Sequence, residues 1–148
     1  MVEYNSAETL DVIDTYSTDV MTGGSNKRMY LYNQLVHSLK RADSVDIIVS
    51  FLMESGVKML IKEFENALKR GARIRILTGN YLGITQPSAL YLIRKRLGEQ
   101  VDIRFYNEKN RSFHPKSYIF HYEDYSELYI GSSNISRSAL TSGIEWNY

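Results

Sequence analysis

The feature that most constrains this chain is an alternation between strand-like apolar runs and amphipathic helical stripes. Val45-Asp46-Ile47-Ile48-Val49-Ser50-Phe51 is mostly apolar and β-branched, as a strand covered on both faces should be. Val57, Leu60, Ile61, Phe64 and Leu68 then form one helical stripe, with Lys58, Lys62, Glu63 and Lys69 facing away and Gly71 as the stop. Residues 73–78 read as a second strand. A further helix follows, with Thr85 expected as its cap, Leu90, Ile93 and Leu97 as its stripe and Gly98 as its end. Residues 101–105 read as a third strand. This β-α-β-α-β order implies parallel strands joined by right-handed crossovers.

On the N-terminal side, Leu31, Leu35 and Leu39 mark another helix, with Asn26 expected to cap it. Residues 1–26 show no periodicity and end in the turn-type cluster Thr22-Gly23-Gly24-Ser25-Asn26, which reads as a loosely attached arm or a short first strand. On the C-terminal side, residues 116–122 and 127–130 read as an antiparallel pair joined around Glu123-Asp124-Tyr125-Ser126. A short helix from Ile135 and a last strand at Ile144-Glu145-Trp146-Asn147 complete the chain. The expected fold is α/β, a mixed and mainly parallel sheet with helices on both faces. Residues 27–148 form its single domain, and the stop just after Glu145 suggests excision from a longer chain.

Composition removes several classes of function. There is no cysteine, so disulfides, thiolate catalysis and Cys-based metal sites are excluded, and the three histidines are too few for a convincing metal cluster. No cofactor or metal is expected. No apolar run approaches the ~20 residues of a membrane span and no signal peptide opens the chain, so a cytoplasmic protein with no membrane partner is expected. The net charge of +1 hides an asymmetry: residues 1–26 carry Glu3, Glu8, Asp11, Asp14 and Asp19 with no Lys or Arg, and the remainder carries all 18 basic residues against 12 acidic ones. A basic body is compatible with a polyanionic partner without demonstrating one.

The informative segment is His114-Pro115-Lys116, followed by Gly131-Ser132-Ser133-Asn134 and by Glu145. Residues two apart on a strand project to one face, so His114 and Lys116 stand side by side. An imidazole beside an ammonium is costly in a core and useful at a phosphate, where lysine neutralises the anion and histidine attacks it or donates a proton. Gly131 to Asn134 offer a small anion cradle of side-chain donors and backbone N–H groups, with Gly131 and Ser133 as substrate-binding positions. Glu145 is placed to accept a hydrogen bond from the imidazole and fix its tautomer.

These residues resemble the phospholipase D superfamily, whose motif is His-x-Lys, a variable gap, Gly-Ser-x-Asn and a later acid. The motif spans residues 114 to 145, and the preceding β-α-β-α-β is what that fold requires. Within the superfamily, Gly-Ser-Ser-Asn-Ile-Ser-Arg-Ser-Ala-Leu leading to Glu-Trp-Asn is similar to the nuclease-type domain found beside bacterial helicase and restriction modules. The resemblance implies a nucleophilic His114, a phosphohistidine intermediate and no metal requirement. Lys116 and Asn134 would hold the phosphate oxygens, Ser132 would support them and Glu145 would orient His114. The lipid-acting members place an Asp five residues after the Lys, where this chain has His121, and Asp124 is out of register. That departure favours DNA over phospholipid. With one His-x-Lys present where the reaction uses two, a homodimer pairing two His114 sites is expected, or a second half in the parent chain.

Each residue also has a plainer reading. Asn134 alone would cap the following helix, and Glu145 alone would be an ordinary strand carboxylate. His37 and His121 read as structural, and Arg94-Lys95-Arg96 as a solvated helix face. Arg104, Lys109 and Arg111, just before the motif, are better placed for a phosphate backbone. Tyr106, Tyr118 and Tyr122 are candidates for base stacking. The rival functional readings are a nucleic-acid-binding module without turnover and, more distantly, a phospholipid phosphodiesterase.

Overall fold

The computed structural model describes residues 20–108 and 110–148; the acidic residues of the first nineteen positions and Lys109 lie outside the described residues. The alternation read in the sequence is present as β2 (Ser44–Val49), α2 (Glu54–Lys69), β3 (Arg73–Gly79), α3 (Pro87–Leu97) and β4 (Val101–Tyr106), preceded by β1 (Met21–Gly23) and α1 (Leu31–Leu39). The tail supplies β5 (Lys116–His121), β6 (Ser126–Ile130), the short α4 (Arg137–Leu140) and β7 (Ile144–Asn147). Five strands form one mixed sheet in the order β4-β3-β2-β5-β6, flanked by helices. β2, β3 and β4 run parallel, whereas β5 is antiparallel to β2 and β6 to β5.

Strand alternation sorts the residues by face. Val45, Ile47 and Val49 pair with Ile74, Ile76 and Thr78 on one side and with Phe120, Tyr118 and Lys116 on the other, and all nine are buried. Leu31, Leu35 and Leu39 of α1, Val57, Leu60 and Phe64 of α2, and Ala89, Ile93 and Leu97 of α3 join them in one core. Each such large apolar side chain stabilises the fold by about 1.5–3 kcal/mol relative to exposure. The alternate residues make a polar ladder: Arg75 grips Asp46 through two 2.6 Å hydrogen bonds, and His121 lies between Asp46 (3.2 Å) and Ser126 (2.9 Å). His121 is thus held within the polar ladder, whereas His37 is solvent-exposed on α1.

Two expected caps are assigned differently. Asn26 caps a 3-10 turn over Lys27–Met29 by accepting from the Arg28 N–H (3.1 Å), and α1 begins only at Leu31. Thr85 does not cap α3, whose cap position is Gln86; its hydroxyl instead donates to the Gly79 carbonyl (2.5 Å) and accepts from the Leu52 N–H (3.3 Å). The side chain of Gln86 accepts from the Glu54 N–H (2.8 Å), so the start of α2 is capped from a neighbouring loop. Gly71 and Gly98 stop α2 and α3 with φ of 96° and 62°, conformations that favour glycine.

β7 completes the assembly. It pairs with β1 through Met21 and Asn147 as a separate two-stranded sheet that docks beside the end of β6, with Ile130 and Tyr148 exchanging two 2.9 Å backbone bonds and Ser132 N–H donating to the Trp146 carbonyl (2.8 Å). The approach is close enough that a Cβ on Gly131 would lie 1.9 Å from the Trp146 carbonyl oxygen.

Candidate active site

The site forms at the C-terminal end of β2, where four consecutive residues hold three different segments. The Ser50 hydroxyl donates to the Pro115 carbonyl (3.2 Å), Phe51 N–H to Asn134 Oδ1 (3.1 Å), Leu52 N–H to Thr85, and Met53 N–H to the Ile135 carbonyl (2.9 Å). Gly56, at the start of α2, allows that last contact, since a Cβ there would lie 2.5 Å from the Ile135 backbone. The central strand therefore fixes the His114 loop, the Asn134 turn and the loop before α3 relative to one another. None of Ser50, Phe51 and Thr85 carries a sequence signal for this, because their partners lie 33 to 83 residues away.

His114 is exposed and Lys116 is buried, at 8%. The Lys116 Nζ lies 2.8 Å from His114 Nδ1, 3.0 Å from Nε2 and 2.9 Å from the His114 carbonyl oxygen. Burial pulls the Lys116 ammonium below the ordinary lysine value, and the nearby Glu145 carboxylate opposes part of that shift. The Tyr81 ring packs on His114 with centroids 4.5 Å apart. The imidazole is thus held between an aromatic ring and a cation, with one side open.

Glu145 is half-buried and its partner is Ser132, whose hydroxyl donates to the carboxylate and accepts from the Trp146 N–H (2.9 Å). No hydrogen bond joins Glu145 to His114 among the described residues. Asn134 does not cap α4, a role taken by Ser136, which accepts from the Ala139 N–H (3.2 Å). With its Oδ1 on Phe51, the Asn134 side chain retains its amide N–H groups as donors.

The expected cradle of backbone donors is not formed at Gly131–Ser133. Gly131 N–H donates to the Lys116 carbonyl, Ser132 N–H to Trp146, and Ser133 N–H to Asn147 Oδ1 (3.3 Å). The Ser133 hydroxyl is fully buried between the Ala139 carbonyl and Asn147 Nδ2. These positions serve the β6–β7 junction, and Gly131 is glycine because β7 presses on it.

Arg104 lies away from the site. It pairs with Leu77, which pairs with Ile48 and through it with Ser117, so its side chain is on the sheet face opposite Lys116, where it meets Asp102 (3.2 Å). Arg111 lies in the loop before His114, 3.5 Å from Glu108. Tyr118 is fully buried, with its hydroxyl on the Ser133 carbonyl (3.0 Å), and offers no stacking face. Tyr122 belongs to a separate network with Arg41, Ser38 and Glu127. Of the three tyrosines, only Tyr106 borders the site, stacked on Phe113. Arg94 and Arg96 engage Glu99 and Glu65, as solvated helix residues do.

Among the described residues no three His, Asp or Glu side chains converge as metal ligands, and no helix is long and apolar enough to cross a membrane. A family model described as "Cardiolipin synthase, PLD-like domain" matches residues 35–148. Among solved structures, the chain is similar to a polyphosphate kinase from Porphyromonas gingivalis, with a TM-score of 0.51 and 13% identity, over 72% of this chain and 19% of that one. No curated protein matches the sequence.

Proposed function

Because the chain belongs to the family of phospholipase D-like domains, we propose that it is a phosphodiesterase that cleaves DNA through a phosphohistidine intermediate on His114, without a metal cofactor. The observation that carries this reading is the pairing of an exposed imidazole with a buried ammonium lying against both of its nitrogens. The pair places a nucleophile and a cation that can neutralise phosphate charge within one hydrogen-bond length of each other. When phosphate enters, Lys116 turns its N–H donors from the ring to a non-bridging oxygen, and the Asn134 amide donates to a second. Both stabilise the charge that develops on the phosphorane.

In the first step a bond forms between a His114 nitrogen and phosphorus while the bond from phosphorus to the leaving oxygen breaks. That oxygen takes a proton from a second imidazole. In the second step water attacks phosphorus, displaces His114 and returns its proton to that imidazole. This chain has a single His-x-Lys, so the second imidazole is the His114 of another copy in a homodimer, or lies in another part of a longer parent protein. Glu145 holds Ser132 at the edge of the site and lowers the cost of keeping Lys116 charged.

His121 supports DNA over phospholipid as the substrate. It occupies the position where lipid-acting members have an Asp, and its ring is engaged by Asp46 and Ser126 on the sheet face opposite Lys116. The test is cleavage of DNA in excess EDTA by wild type and by His114→Asn. Wild-type cleavage that His114→Asn abolishes is expected; loss in EDTA with rescue by magnesium would overturn the mechanism.

A second reading, a nucleic-acid-binding module without turnover, is favoured by the number of donors already engaged at Gly131–Ser133. Binding that survives His114→Asn, with no cleavage by either protein at any pH, selects it.

A further inference from the structure

Beside His114 lies a cleft of about 420 Å³ that the phosphate chemistry does not use. One wall is the loop between β3 and α3, with Asn80, Tyr81 and Leu82; the other is the stretch after β4, with Tyr106, Asn107 and Phe113. The cleft adjoins the nucleophile on both sides, since Phe113 precedes His114 in the chain and the Tyr81 ring packs on the imidazole. Its volume is in the range that holds one small organic group, roughly 300–1,000 Å³.

The walls specify what that group is. Tyr106 and Phe113 are stacked, with centroids 4.7 Å apart and planes 20° from parallel, and Gly79 makes room for them, because a Cβ there would lie 2.8 Å from Phe113 Cδ1. Leu82 holds a left-handed backbone (φ 51°) and is 78% exposed at the rim, an unusual state for a leucine and one that leaves an apolar side chain free to contact a ligand. Around these apolar surfaces stand the amides of Asn80 and Asn107, each with donors and an acceptor. Two stacked aromatic rings set among polar side chains, the amides of Asn80, Asn107 and Asn110 and the Glu108–Arg111 pair (3.5 Å), match a heteroaromatic ring bearing hydrogen-bonding substituents. An acyl chain would leave the amides unpaired, and a bare sugar–phosphate would leave the aromatic walls uncovered.

We propose that this cleft receives the unpaired nucleobase of the nucleotide next to the phosphate that His114 attacks. The inference rests on the phosphodiesterase reading and deepens it by naming the substrate as single-stranded or frayed nucleic acid. Inside a duplex both faces of each base are covered by its neighbours, so an interior base reaches these walls only when unstacked. The aromatic walls bind the base by stacking, which changes affinity by about 5- to 150-fold per base, and Asn80 and Asn107 read its edge.

The test is equilibrium binding, by fluorescence anisotropy in EDTA, of the His114→Asn protein to three 12-nucleotide probes: oligothymidylate, the same backbone with every base replaced by an abasic tetrahydrofuran, and a blunt duplex. We expect oligothymidylate to bind at least fivefold more tightly than either of the others, and Tyr106→Ala in the same background to remove the advantage over the abasic probe. Equal affinity for the base-bearing and abasic strands, or absence of binding to all three, overturns the proposal without recourse to any variant of the cleft. Wild-type hydrolysis of bis(p-nitrophenyl) phosphate separates the two readings. Turnover of that diester with no base preference leaves the phosphodiesterase standing and removes the base site; base-dependent binding with no turnover does the reverse.

Discussion

The ammonium of Lys116 rests on the imidazole of His114, within 3.0 Å of both ring nitrogens, and is buried while the imidazole is exposed. Burial lowers its pKa below the 10.5 of a solvated lysine, so its charge is lost earlier on the alkaline side. Activity is expected to decline below pH 10.5. Lys116→Arg, whose guanidinium stays protonated above pH ~12, should be slower yet lack that alkaline limb. Stability runs the other way: between the folded pKa and 10.5 the unfolded chain binds more protons, so this residue's contribution rises with pH. Comparing kcat/KM and urea midpoints of the two proteins from pH 7 to 10.5 checks both trends. An identical alkaline limb in the arginine variant refutes the role given to Lys116.

Ser132 links Glu145 to the N–H of Trp146. Ser132→Ala should reduce kcat by about 10-fold or more, the worth of a hydrogen bond to a charged group at about 1.5–3 kcal/mol. Ser132→Thr, which keeps the hydroxyl, should recover most of it. A Ser132→Ala enzyme with wild-type kcat would show that Glu145 needs no such support.

Glu127 lies far from the site in a network with Ser38, Tyr122 and Arg41 at 2.6, 2.6 and 2.8 Å. Burial alone would raise its pKa, but the two hydroxyls and the guanidinium outweigh it and hold the carboxyl below its ordinary 4.5. Its stabilising contribution is therefore present above pH 4.5 and is lost as pH falls through the depressed folded value. Glu127→Gln should cost about 1–3 kcal/mol at pH 7 and much less at pH 3, measured by chemical denaturation. A constant gap would mean that the carboxylate charge contributes nothing.

Gly131→Ala would force a Cβ to 1.9 Å from the Trp146 carbonyl oxygen and 2.7 Å from Asn147 Cα. Both atoms belong to backbone, so β7 must shift. A cost of about 1–3 kcal/mol, typical of overpacking, should come with loss of activity because Glu145 moves with the strand. Gly71→Ala has a positive φ but nothing within 4 Å of its Cβ, so it should cost stability while leaving kcat intact. Thermal melts with parallel kcat measurements distinguish the two glycines.

Periodicity carried the fold well because the apolar stripes of α2 and α3 and the runs of β2 and β3 each point to one buried face. The tail was legible for the same reason, and the last strand lies at the four residues expected of it. What periodicity does not encode is the choice of hydrogen-bond partner. Asn26 and Thr85 have the chemistry of helix caps, but a tight turn claims one and the end of β2 the other. The Gly131–Ser133 segment looks like an anion cradle until β5 takes the N–H of Gly131 and β7 those of Ser132 and Ser133. Arg104 was legible in principle, since inward Ile103 sends its neighbour to the other face. Tyr81 was not, because only the hub at Ser50–Met53 brings its loop to His114.

The side chain of Asn147 donates to the Met21 carbonyl (3.3 Å) across 126 positions of sequence, while Glu145 sits two residues before it on the same strand. Contacts of such wide separation form late, after local structure has already condensed. A partly folded molecule, with its helices and parallel strands in place, would consequently lack the Met21–Asn147 tie that anchors the strand carrying Glu145.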